Sequence, residues 1–143
     1  SVCRLLGHGR VITIDIDNTT PRPEDDLVTY ITGSSTEAVT VEQVRAAVGD
    51  AQRCMVILDS DHRAEHVLRE LQIYSEWVAE GCYLIAEDTN IKGKPVFPDY
   101  GDPGTAKAVD SFLATRADFV VDRSLERYLL THHPGGFLRR VEH

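Results

Sequence analysis

Met55-Val56-Ile57-Leu58-Asp59-Ser60-Asp61-His62 is the stretch from which the fold is read. A short β-branched apolar run stops abruptly in acids. That is the pattern of a buried strand delivering polar groups at its carboxyl end. Working outward, the pattern recurs. Val11-Ile12-Thr13-Ile14-Asp15-Ile16-Asp17 is a similar run, and Leu27 to Thr32 is another, ending in Gly33-Ser34-Ser35. Tyr83-Leu84-Ile85-Ala86 closes in Glu87-Asp88. Phe119-Val120-Val121 and Phe137-Leu138 predict late strands, the last after a Pro134-Gly135-Gly136 turn. Helical spacing fills the gaps. Thr40 and Gln43 have capping-box spacing around Val41, Val44 and Val48, which predicts a helix over about residues 41–48. Val67, Leu68, Leu71, Tyr74 and Val78 form an amphipathic stripe, with Gly81 placed to stop it. Pro103 after Asp102 suits a third helix start, with Val109, Phe112 and Leu113 facing inward. Strands alternating with helices predict a single α/β domain over residues 1–143 with a mostly parallel sheet.

The 143 residues carry 15 Lys+Arg against 23 Asp+Glu, a formal net charge of -8. Nucleic acid and anionic lipid call for a phosphate-neutralising basic patch, so neither is an expected partner. The 42 % hydrophobic content suits a packed core rather than disorder. No apolar run reaches the roughly 18 residues of a membrane span, and the first residues lack the basic-then-apolar pattern of a signal peptide. Cys3, Cys54 and Cys82 are odd in number and lack C-x-x-C spacing. This argues against a disulfide framework or zinc site and for a reducing cytoplasm. The single methionine is Met55, so Ser1 is not expected to be an untouched initiator.

In open parallel sheets ligands bind at the carboxyl ends of strands. The acids that end these runs are therefore expected on one rim. Asp59, Glu87 and Asp88 would bring three carboxylates from two strand ends to one point. Like charges that close call for protons or a cation. A hard divalent ion such as Mg²⁺ takes oxygen ligands and keeps positions open for water or substrate. The plainer alternative is that these acids cap the helices that follow them. Asp15 ends a strand where a carboxylate can accept hydrogen bonds from ribose hydroxyls. Gly33-Ser34-Ser35-Thr36 is small enough to let backbone approach a base or ribose, and equally suits a plain turn. His62, three residues past Asp59, is a candidate proton acceptor. His132 and His133 precede a turn and are assigned no chemistry. No G-x-G-x-x-G follows a strand, and no Walker lysine exists.

Taken in order, Ile12 to Asp17, Gly33 to Thr36, Ile57 to His62 and Ile85 to Asp88 resemble the cephalosporin hydroxylase family, which is related to rhamnosyl O-methyltransferases. The tail His133-Pro134-Gly135-Gly136-Phe137-Leu138-Arg139-Arg140 resembles that family's C-terminus, so the resemblance covers about residues 9 to 141. The strand-end pattern is also similar to catechol O-methyltransferase. The resemblance implies a Rossmann-like methyltransferase fold with helices on both faces of the sheet. It implies S-adenosylmethionine as methyl donor, Mg²⁺ as metal and a small-molecule hydroxyl acceptor, with self-association left open. Carried over residue by residue, Asp15 matches the ribose-binding acid, and Ser35 and Thr36 match the segment beside the adenine. Asp17 is common at its place in the family. Asp59, Glu87 and Asp88 match the metal ligands. Asp61, two residues along, is an adjacent candidate and joins His62 as a catalytic candidate. Two departures stand out. The family's first strand carries a Gly-rich E-x-G-x-x-x-G segment that this sequence lacks, so residues upstream of Ser1 are expected in the parent gene product. The link between Asp17 and Leu27 is also short for a parallel crossover, so its helix is expected to be vestigial.

Two rivals are weighed against this. Asp15-Ile16-Asp17-Asn18-Thr19 also resembles the D-x-D-x-T pattern of haloacid dehalogenase-like phosphatases. There Asp15 is the nucleophile, Asp17 the acid/base, and Glu87 or Asp88 holds Mg²⁺. Thr32 or Ser34, with Lys92 or Lys107, would fill the remaining roles. The other rival is a non-catalytic structural or oligomerisation module. The loop from Asn90 to Asp102, with Phe97 and Tyr100, is expected to form a lid or acceptor wall over the metal rim, or a plain surface loop.

Overall fold

The computed structural model describes residues 2–91, 96, 101–128 and 131–142. They fall into two compact units, Ser1–Ala51 and Gln52–His143. The first unit holds helix α1 (Val2–Leu6), strands β1 (Val11–Asp15) and β2 (Val28–Thr32), and helix α2 (Ala38–Val48). β1 and β2 pair in parallel, from Val11 opposite Val28 to Asp15 opposite Thr32. No helix connects them, where the short link predicts a vestigial one. Side chains hold the crossover instead. The Arg22 guanidinium donates to the Asp17 carbonyl (2.6 Å) and to Thr32 Oγ1 (3.1 Å), and it lies over the Tyr30 ring. The Tyr30 hydroxyl donates to the Pro23 carbonyl at 3.0 Å.

Helix α2 buries Val44 and half-buries Val41 and Val48, the face that the spacing predicts. Its start differs from the prediction. The helix begins at Ala38 behind Glu37, and Thr40 lies inside it, 1 % exposed. Thr40 packs against Gly33, where an added Cβ would collide with Thr40 Oγ1. Tertiary packing, not capping, therefore places this threonine.

The second unit runs β3 (Val56–Leu58), α3 (Ala64–Tyr74), a 3₁₀ turn (Ser75–Trp77), β4 (Tyr83–Ala86), α4 (Gly104–Leu113), β5 (Phe119–Val121), a 3₁₀ turn (Arg123–Leu125) and β6 (Phe137–Arg140). The sheet order is β3-β4-β6-β5. β3 and β4 are parallel, with Leu58 opposite Ala86. β6 is antiparallel to both β4 and β5. The sheet is thus mixed rather than mostly parallel. Between β5 and β6 the described residues hold only one 3₁₀ turn, not the helix that a parallel crossover carries, so the chain returns in the opposite direction.

Helices α3 and α4 pack on one another, and α3 packs on β3 and β4. Val67, Leu71 and Tyr74 of the predicted stripe are buried with Leu84, Val109, Phe112, Phe119 and Leu138. The paired residues Leu58 and Ala86 are both buried, whereas their neighbour Ile57 is 53 % exposed. This period-two contrast marks the opposite face of β3 as the more open one. Gly81 does not stop α3. The helix tightens into 3₁₀ at Ser75, and Gly81 forms the turn into β4 with φ 75°, donating its N–H to Arg140.

One carboxylate serves two helix starts. Asp102 Oδ1 accepts from the N–H of Ala64 (3.0 Å) and of Gly104 (2.7 Å). Asp102→Ala should lower stability by about 1–2 kcal/mol, the ordinary cost of a lost cap. Asp102→Asn keeps an acceptor and should lose less than half of that. Urea denaturation of the three proteins measures both, and an unchanged midpoint in Asp102→Ala contradicts the shared cap.

Candidate active site

Parallel pairing in register puts the carboxyl ends of β3 and β4 side by side. Glu87 N–H donates to the Leu58 carbonyl at 2.9 Å, extending the ladder by one bond. The next residues leave the sheet at neighbouring points. One ligand atom from each of Asp59, His62 and Asp88 lies within 4.8 Å of the others. His62 Nε2 stands 3.6 Å from Asp59 Oδ1 and 3.4 Å from Asp88 Oδ2, yet it is buried and makes no hydrogen bond. The cluster takes in Asp59 and Asp88 of the three predicted carboxylates. Its third member is His62, not Glu87. Consecutive residues at a strand end point in different directions, so Glu87 and Asp88 do not both enter the cluster.

The loop after β3 is pinned from two sides. Ser60 Oγ lies 2.8 Å from both oxygens of Glu70, which is 2 % exposed on α3. His66 Nε2 approaches the same carboxylate at 3.5 Å. Asp61 accepts from the N–H of Arg63 (3.0 Å) with one oxygen and from its guanidinium (2.7 Å) with the other. The Arg63 guanidinium holds the Asp61 carboxyl below its ordinary pKa. Asp61 thus shapes the turn into α3, and the cluster forms without it.

The C-terminal segment reaches the same place. His133 Nδ1 accepts the Asp88 N–H at 2.9 Å, Thr89 Oγ1 donates to the Pro134 carbonyl at 2.9 Å, and His132 Nδ1 lies 4.0 Å from Asp88 Oδ1. The sequence reading missed His133 and Glu70. Both act across the chain, and neither falls in a local motif. The only signal was the His-Pro-Gly-Gly turn itself.

The remaining candidates lie in the first unit. Asp15 and the Gly33–Thr36 turn come together at the carboxyl end of the β1–β2 pair, where Gly33 N–H donates to the Asp15 carbonyl at 3.0 Å. Asp15 Oδ1 accepts from the Asp17 N–H at 2.9 Å. Ser34 Oγ and Thr36 Oγ1 are 3.4 Å apart, and Ser35 is half-buried in the turn. Asp17 is committed locally. Its carboxylate accepts from the Thr19 N–H, the Thr19 hydroxyl and the Thr20 hydroxyl at 2.6–2.7 Å. Lys92, Phe97 and Tyr100 lie outside the described residues.

Comparison with known proteins gives these geometries a setting. The family model for rhamnosyl O-methyltransferase/CmcI matches residues 1–141. The chain belongs to that family. A rhamnosyl O-methyltransferase of Mycobacterium tuberculosis (strain H37Rv) is 33 % identical over 148 residues, covering 98 % of this chain and 60 % of the relative. One of Mycobacterium leprae is 30 % identical over 106 residues, covering 72 % of this chain and 46 % of the relative. The chain therefore spans about 60 % or less of the length of these curated relatives. None of these matches supports the phosphatase reading of Asp15 and Asp17.

The threonine hydroxyls hold the Asp17 carboxyl far below its ordinary pKa. A depressed carboxylate contributes stability that is fully present above its unfolded value, about 3.9, and is lost as pH falls through the folded value. Carboxyl ¹³C titration by NMR should place Asp17 well below 3.9. Thr19→Val together with Thr20→Val should bring it back toward that value. An ordinary midpoint in the unsubstituted protein contradicts the local capping.

Proposed function

We propose that this chain carries the site of an O-methyltransferase that uses S-adenosylmethionine and Mg²⁺ to methylate a hydroxyl group of a sugar. The acceptor class follows the rhamnosyl acceptor in the relatives' names. The observation that carries the reading is the meeting of Asp59, His62 and Asp88 at two adjacent strand ends, in a chain of that family.

The donor set suits the metal. Mg²⁺ is commonly held by one or two carboxylates and keeps its other positions for water or substrate. Asp59 and Asp88 supply two such groups. The ion, when bound, supplies positive charge that lowers the pKa of a nearby hydroxyl. His62 Nε2, buried between the carboxylates without a hydrogen bond, is placed to take the hydroxyl proton. Asp61 and Ser60 hold the loop that carries it. For the donor, Asp15 offers an exposed strand-end carboxylate to the ribose hydroxyls, and Ser35 and Thr36 line the neighbouring turn. S-adenosylmethionine supplies an electrophilic methyl on its sulfonium. When bound, the donor would give up its methyl and leave as a neutral thioether, and His62 would receive the proton that the acceptor hydroxyl loses.

Asp59→Asn and Asp88→Asn test the reading by two measurements. At about 100 times its dissociation constant, a native-state ligand adds about 2.7 kcal/mol of stability. Mg²⁺ or Mn²⁺ should therefore raise the melting temperature of the unsubstituted protein by several degrees, and should leave both variants nearly unmoved. Donor-dependent methylation of a rhamnosyl acceptor should fall by about 100-fold or more, the scale for loss of one stabilising group in a reacting site. A metal-induced shift that survives in both variants contradicts this site. An unsubstituted protein that responds to neither metal nor donor would favour the non-catalytic reading.

A further inference from the structure

Asp88 is the one non-glycine residue with positive φ (54°) among the described residues. That conformation is sterically disfavoured for an L-residue, although aspartate tolerates it better than most. Something must hold it there, and the structure shows what does. The Asp88 N–H donates to His133 Nδ1, 45 residues further along, at 2.9 Å. His133 is itself fixed. Its ring packs edge-on against Phe137 (5.9 Å between centroids, 80° between planes), and Phe137 pairs with Ile85 in the β4–β6 ladder. The His133 carbonyl accepts from the Gly136 N–H at 2.9 Å. The Gly136 carbonyl accepts from the Ala86 N–H at 2.9 Å. A Cβ on Gly136 would collide with the Ala86 carbonyl oxygen, so only glycine lets the segment lie this close. Thr89, 1 % exposed, ties the other side of Asp88 to Pro134.

We propose that His133 is a positioning residue of the site: its Nδ1 holds the Asp88 backbone in the left-handed conformation that turns the Asp88 carboxylate toward Asp59 and His62. His133 touches none of the reacting atoms in this account and acts through Asp88. The inference deepens the metal-assisted reading and rests on it for its consequence, a weaker cation site when the hydrogen bond is lost. The hydrogen bond itself also fixes the ring chemistry. A nitrogen that accepts carries no proton, so the neutral ring holds its proton on Nε2.

Two substitutions separate the acceptor from the ring. In His133→Asn, Oδ1 takes the place of Nδ1 and the ring is lost. In His133→Phe, the ring against Phe137 stays and the acceptor is lost. Three readouts apply: long-range ¹H–¹⁵N spectra of the imidazole in the metal-free protein, hydrogen exchange of the Asp88 amide, and Mn²⁺ affinity by titration. The unsubstituted protein should show the Nε2–H form and a protected Asp88 amide. His133→Phe should lose that protection at least 10-fold and bind Mn²⁺ about 10–100-fold more weakly, the usual scale for loss of an outer ligand partner. His133→Asn should restore both to within about 3-fold. An Nδ1–H form, full protection and affinity in His133→Phe, or an Asn variant as impaired as the Phe variant overturns the proposal. If the unsubstituted protein binds no Mn²⁺, the cation reading fails by itself. The imidazole spectrum and the Asp88 amide then decide the role of His133 alone.

Discussion

Leu58 and Ala86 face each other across two parallel strands, and the approach of Asp59 to Asp88 depends on that pairing. Parallel strands in register release their chains at the same edge. Asp59 and Asp88 therefore emerge together. Ligand atoms of the two carboxylates lie within 4.8 Å of one another, close enough for like charges to repel. His62 stands between the two but makes a hydrogen bond to neither. A divalent cation would relieve that repulsion, and the His62 nitrogen lies beside both carboxylates at 3.4–3.6 Å.

The rest of the unit serves to keep those groups in place. Glu70 reaches from α3 to Ser60, Asp61 clasps Arg63, and Asp102 joins the starts of α3 and α4 through one oxygen. The C-terminal segment closes the other side through His133, Pro134 and Gly136. Each contact is a modest one by itself. Together they hold the loops by hydrogen bonds that run from buried helices and strands, which is how a site on loops reaches the precision of one on rigid elements.

What could be read in advance followed from local periodicity. The β-branched runs became strands within a residue or two, and Val67, Leu71 and Tyr74 of the α3 stripe became the core. The approach of Asp59 to Asp88 was legible because parallel strands deliver their ends to one edge. Strand direction was not legible. Nothing in Phe137-Leu138 distinguishes an antiparallel insertion from a parallel one, since alternation is the same in both. Thr40 carried a capping pattern that close packing against Gly33 overrode. His133 stayed hidden because its partner is 45 residues away, and Glu87 looked equal to Asp88 because sequence does not say which of two adjacent acids turns inward.

Anomalous diffraction from crystals of the protein grown with Mn²⁺ tests the central claim most directly. One strong peak is expected within about 2.5 Å of carboxylate oxygens of Asp59 and Asp88, beside His62. Well-ordered crystals with no peak there, or with the metal held elsewhere, would contradict it.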